Sequence, residues 1–148
     1  MNYELALKLK EAGFPQFTFD TLNPYQGNIY FPTGQCLRYG DPNTNLLIKM
    51  GIENGEDPKK DLVYAPTLSE LIEACPKKIL NKDTEDTKYS YFCLEIDTDD
   101  AHYEPEKETW VAGYNTPIDY EGNFITMSNK GSTPEEAVAR LWLELNKK

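Results

Sequence analysis

"FITMSNKGSTPEEAVARLWLELNKK", residues Phe124–Lys148, decides the fold class, because the pattern of the chain changes inside it. "FITMS" reads as a strand. After Gly131 the apolar residues Ala137, Val138, Leu141, Trp142 and Leu145 recur at helical spacing and form one wide stripe. The helix has a clear start: Thr133 is placed as the N-cap, Pro134 takes the first helical position, and Glu136 completes a capping box. Glu136, Arg140 and Glu144 are spaced for i,i+4 pairs on the other side, and Lys147 and Lys148 suit the negative end of the helix dipole. A strand running into an amphipathic helix calls for a sheet that the helix can cover.

Working outward, "KYSYFCLEI" (residues 88–96) and "ETWVAGYN" (residues 108–115) supply two more strands. In the first, Phe92, Leu94 and Ile96 alternate with Tyr91, Cys93 and Glu95, and the former set is expected to face the core. "EGN" then turns the chain into "FITMS". Together these read as an antiparallel meander.

The N-terminal "NYELALKLKEAGF" reads as a helix capped by Asn2, with Leu5, Leu9 and Ala12 on one stripe. Gly13 is placed for a left-handed ending, Phe14 for contact with Leu9, and Pro15 prevents continuation. Regularity fades between Pro15 and Pro66, which hold six of the ten prolines, and short strands are the expected content. "NIYFPTGQCLRY" reads as a hairpin with Pro32 and Gly34 in its turn, "NLLIKM" as a buried strand, and "ENGEDPKKD" as a polar surface loop. In "APTLSELIEACP", Thr67 and Glu70 form a capping box, Leu68, Leu71, Ile72 and Cys75 share a face, and Pro76 closes the helix. The expected fold is α+β, a single domain over residues 1–148: an antiparallel sheet of three to five strands packed by the N- and C-terminal helices.

Composition narrows the function classes. At 148 residues with 39% apolar and 12% aromatic side chains, the chain can bury a core. It shows neither a basic-then-apolar leader nor an apolar run near the roughly 18 residues of a membrane span. Three scattered cysteines (Cys36, Cys75 and Cys93) without a C-x-x-C fit free thiols in a reducing cytoplasm better than disulfides or structural zinc. The net charge is -10, and ten acids against two bases between Asp83 and Glu108 account for -8 of it. That field repels phosphate and disfavours direct nucleic-acid binding, while it would attract a basic protein surface.

"YAPTLSELIEAC" and the ending "TPEEAVARLWLELNKK" resemble small uncharacterised proteins of bacteria, phages and prophages, which share helices of these two kinds. The resemblance implies a bacterial or phage origin and a fold. It carries no catalytic residue, because such proteins have no established activity.

Four constellations in the sequence bear on chemistry. In "EIDTDDAHYEPEKE" (residues 95–108) seven of fourteen residues are acidic. Asp97, Asp99 and Glu108 match positions 1, 3 and 12 of a calcium loop, but Ala101 and His102 stand where a ligand and the turn glycine belong. No metal site is expected there. A solvated loop is the plain reading, and a recognition surface built from Asp97, Asp99, Asp100, Glu104 and Glu106 is the sharper one. His102, the single histidine, has no nucleophile signature near any cysteine or serine. The remaining acids admit too many carboxylate pairs to single out one. Tyr25, Tyr30 and Tyr39 fit the core of a strand-rich segment, and less readily an aromatic binding face within residues 25–64. The reading is a soluble cytoplasmic accessory protein, non-enzymatic and without cofactor, acting through protein contacts, with its oligomeric state open. The alternative is a small hydrolase or ligand-binding domain that uses the Tyr-rich segment.

Overall fold

The structure, a computed structural model, describes residues 1–16, 27–32, 34–38, 41–55, 57–80, 89–97, 109–116 and 124–147. The fold is α+β: two antiparallel sheets, of three and four strands, with helices. The contacts gather into two compact units, Met1–Glu70 and Leu71–Lys148.

In the first unit, α1 (Tyr3–Glu11) begins and ends as its sequence dictates. The Asn2 side chain accepts from the Leu5 N–H at 2.9 Å. At the other end Gly13 adopts φ +88, the Phe14 N–H donates to Leu9 O at 2.8 Å, and the Gly13 N–H donates to Lys10 O at 3.0 Å. These are the two bonds of a Schellman ending, and the left-handed φ is open to glycine without a Cβ penalty. The hairpin β1 (Asn28–Tyr30) and β2 (Cys36–Arg38) pairs Ile29 with Leu37 and Tyr30 with Cys36. Its turn is closed by Phe31 N–H to Gln35 O at 2.8 Å and Gly34 N–H to Phe31 O at 2.9 Å. On the other side of β1 lies β3 (Val63–Ala65), giving the order β2-β1-β3.

All three residues of β3 are buried, because both of its faces are covered. Tyr64 packs with Ile29, Leu62 and Ile48 on one side; Val63 and Ala65 pack with Ala6 of α1 and with Tyr30 on the other. Ile48 belongs to α2 (Pro42–Glu53), which corrects the expectation of a strand at "NLLIKM". The Asp41 side chain accepts from the Asn43 N–H at 2.8 Å and Pro42 holds the first helical position. A short apolar run does not distinguish helix from strand, and this N-terminal cap decides the matter. The polar stretch after α2 contains a single helical turn, α3 (Pro58–Asp61), and Lys10 donates from its ammonium to Lys60 O and Leu62 O, both at 2.8 Å.

Tyr64 also anchors the start of α4 (Leu68–Ala74). Its hydroxyl donates to the Glu70 carboxylate at 2.6 Å and accepts from the Gly27 N–H at 2.9 Å. The same carboxylate accepts from the Thr67 N–H at 2.7 Å and the Thr67 hydroxyl at 2.8 Å, which is the capping box with a tyrosine added.

The second unit holds β4 (Lys78–Leu80), β5 (Tyr89–Ile96), β6 (Trp110–Thr116) and β7 (Phe124–Gly131) in that order. β5, β6 and β7 form the expected meander, and β4 is an edge strand that the sequence reading did not identify. The sheet is covered by α5 (Pro134–Leu145), which lies against β6 and β7. Its approach is close: a Cβ at Gly131 would stand 2.4 Å from the Ala137 backbone nitrogen. Thr133 caps α5 by accepting from the Glu136 N–H at 3.2 Å. The Glu136 carboxylate reaches one residue further back than expected, to the N–H (3.2 Å) and hydroxyl (2.7 Å) of Ser132. The Ser132 hydroxyl bond is the main cause holding the Glu136 carboxyl below its usual range. Thus both covering helices of the expectation are present, each on its own sheet.

Candidate functional site

Of the five acids proposed from sequence, Asp97 is described; Asp99, Asp100, Glu104 and Glu106 lie outside the described residues, as does His102. Asp97 follows β5 directly, and its N–H donates to Thr109 O at 2.7 Å, continuing the ladder to the start of β6. The Asp97 carboxylate pairs with the Lys130 ammonium of β7, and the Lys130 carbonyl accepts from Arg140 Nη1 of α5 at 3.0 Å. Asp97 thus joins the end of β5 to β7.

Cys75 and Cys93 are held as neutral thiols, and Cys36 is exposed on β2. Burial pushes the Cys75 thiol up to about 11, and it likewise raises Cys93, with the nearby Glu95 carboxylate adding to the effect. Both shifts favour the neutral thiol, whereas an activated cysteine needs the thiolate. Tyr114 is fully buried, donates its hydroxyl to Pro76 O at 2.7 Å, and is pushed up by burial and then by Cys75. Among the described residues no three His, Cys, Asp or Glu side chains gather as metal ligands.

Of the tyrosines within residues 25–64, the two that are described are packing residues. Tyr64 is buried, and Tyr30 is half-buried, edge-on to Tyr3 at 5.5 Å, with its hydroxyl donating to Met1 O at 2.8 Å. Tyr25 and Tyr39 lie outside the described residues.

What sequence reasoning missed is the outward face of α2. Thr44 and Ile48, one turn apart, are buried. On the opposite side Leu46 is 56% exposed and Met50 49% exposed, with Leu47 and Ile52 also exposed. A helix of this length ordinarily presents a polar face to water. The signal was available in "DPNTNLLIKMGIE": once Asp41 and Pro42 are read as a helix start, the helical period puts Leu46 and Met50 on one stripe and Thr44 and Ile48 on another.

A second exposed apolar group lies on β4 and β5. Cross-strand pairing of Lys78 with Tyr91 and of Leu80 with Tyr89 places all four side chains on one face. Leu80, Tyr89 and Tyr91 are exposed, and the Lys78 ammonium stands 4.1 Å from the Tyr89 ring centroid.

No protein-family model, curated protein or solved structure matches this chain.

Proposed function

We propose that this chain is a non-enzymatic accessory protein, of the kind carried by phages or other mobile elements, that acts through protein contacts. The observation that carries the reading is the α2 stripe: Leu46, Leu47 and Met50 remain exposed on a helix whose inward face is already engaged by Thr44 and Ile48. Contiguous exposed apolar side chains are costly to leave in water and commonly mark a contact surface. The chemistry of the partner follows from charge. A chain of net charge -10 draws basic surfaces, and Asp97, Asp99, Asp100, Glu104 and Glu106 are where its acids concentrate. The bacterial or phage origin rests on the resemblance of the two capped helices. Among the described residues no helix is long and apolar enough to cross a membrane.

The test is capture of interacting proteins from a bacterial lysate at low and high salt. Three baits are compared: wild type, Leu46→Gln/Met50→Gln, and Asp97→Asn/Asp99→Asn/Asp100→Asn. Glutamine leaves helix propensity and charge unchanged, so the first variant removes only the apolar contact. The expected result is one stoichiometric basic protein held by wild type, lost from the α2 variant at both salts, and bound more slowly by the triple variant at low salt. Equal capture by all three baits, or capture by none, would remove the proposal.

A further inference from the structure

α2 ends in Asn54–Gly55, and among the asparagines of this chain Asn54 is the one followed by glycine. The backbone nitrogen after an asparagine can close a five-membered ring on the side-chain carbonyl carbon, since both groups are carried side by side on the chain. A side chain on the following residue obstructs that approach, and glycine has none. Gly55 adopts φ +87, and a Cβ placed there would meet nothing within 4 Å, so the surroundings leave the approach open as well.

The other described asparagines differ. Asn2 accepts from the Leu5 N–H, Asn146 donates to Trp142 O at 2.8 Å, and Asn115 Oδ1 is buried. Asn28, Asn43, Asn45 and Asn129 lie within strands or α2 and precede Ile29, Thr44, Leu46 and Lys130, all of which carry a Cβ. Asn54 is the C-cap of α2, and Ile52 through Gly55 are exposed. Backbone bonds hold this turn closed: the Asn54 N–H is shared between Met50 O and Gly51 O, both at 3.1 Å, and the Gly55 N–H donates to Ile52 O at 3.0 Å. The last bond occupies the nitrogen that would attack. The Asn54 backbone, at φ -86 and ψ 3, also turns that nitrogen away from its own side chain. Helix ends open far more readily than helix interiors, and opening the last turn releases both restraints.

We infer that Asn54–Gly55 is a self-modifying site, gated by the last turn of α2. The Gly55 nitrogen loses its proton and bonds to Asn54 Cγ; the Cγ–Nδ2 bond breaks and ammonia leaves. Water then opens the ring at one of its two carbonyls. Attack at Cγ breaks the newly formed C–N bond and leaves aspartate in an ordinary backbone. Attack at the Asn54 backbone carbonyl carbon leaves isoaspartate, with the chain running through Cγ. One water enters and one ammonia leaves, with no change of oxidation state. Either product adds a carboxylate beside Glu53 at the negative end of the helix dipole, which loosens the end of α2. The site is independent of the partner proposed above.

Peptide mapping by mass spectrometry tests it on the full chain, aged folded at neutral and at mildly alkaline pH. The peptide holding Asn54 gains about 1 Da, the difference between carboxyl and carboxamide, before any other asparagine converts. The gain is faster at the higher pH, because the attacking nitrogen must first lose its proton. It disappears from that peptide in Asn54→Gln. In denaturing urea at the same pH the conversion of Asn54 runs several-fold faster, since nothing then holds the Gly55 N–H. Asn54 left intact while another asparagine converts overturns the site. A conversion as fast in the folded chain as in urea overturns the gate. An Asn54 that never converts in the folded chain, although the chain in urea has converted, means that the turn does not open and overturns the inference.

Discussion

Trp142→Ala should lower stability by about 3–5 kcal/mol, the usual cost of truncating a buried aromatic side chain. The indole is 7% exposed on α5, beside the fully buried Ala137, Val138 and Leu141. α5 covers β6 and β7, so the truncation opens a cavity in the packed interior of the second unit. Leu145→Ala, at a half-buried position in the same helix, should cost less. Urea unfolding followed by circular dichroism measures both. A Trp142→Ala midpoint near that of wild type would mean that the indole faces solvent or a partner.

Tyr64→Ala should be comparably severe in the first unit, also about 3–5 kcal/mol. The ring is fully buried among Ile29, Ile48 and Leu62. Its hydroxyl bridges the Gly27 N–H and the Glu70 carboxylate that caps α4. Tyr64→Phe separates the two roles. It keeps the ring and removes the bridge, leaving the Gly27 N–H without its acceptor, and should cost about 1–3 kcal/mol. If Tyr64→Phe were neutral, the bridge would contribute nothing to stability, and the start of α4 would rest on Thr67 and Glu70 alone.

Local chemistry made some elements legible. Asn2 with Gly13–Phe14, and Thr133 with Pro134, act through bonds within a few residues, so both helix ends could be read directly. The meander was legible because Phe92, Leu94 and Ile96 alternate and pair across to Tyr114, Ala112 and Trp110. "NLLIKM" was misread because an apolar run carries no period of its own, and the deciding residues, Asp41 and Pro42, stand outside it. β4 escaped notice because three residues are too few to show alternation. Its pairing with β5 is tertiary information.

The candidate surface was less legible than the fold. The acids drew attention because charge is visible in composition, and Asp97, the one of the five that is described, proves to be paired with Lys130. The α2 stripe could not be seen while the segment was read as a strand, since at a period of two Leu46 and Ile48 share a face, whereas in the helix they point apart.

The stability of Leu46→Gln/Met50→Gln most directly tests whether α2 carries an apolar face that the fold leaves in water. Exposed side chains replaced by an equally good helix former should leave the unfolding midpoint within about 0.5 kcal/mol of wild type. A loss of about 3 kcal/mol or more would show that these side chains are core residues, and would contradict an outward contact face on α2.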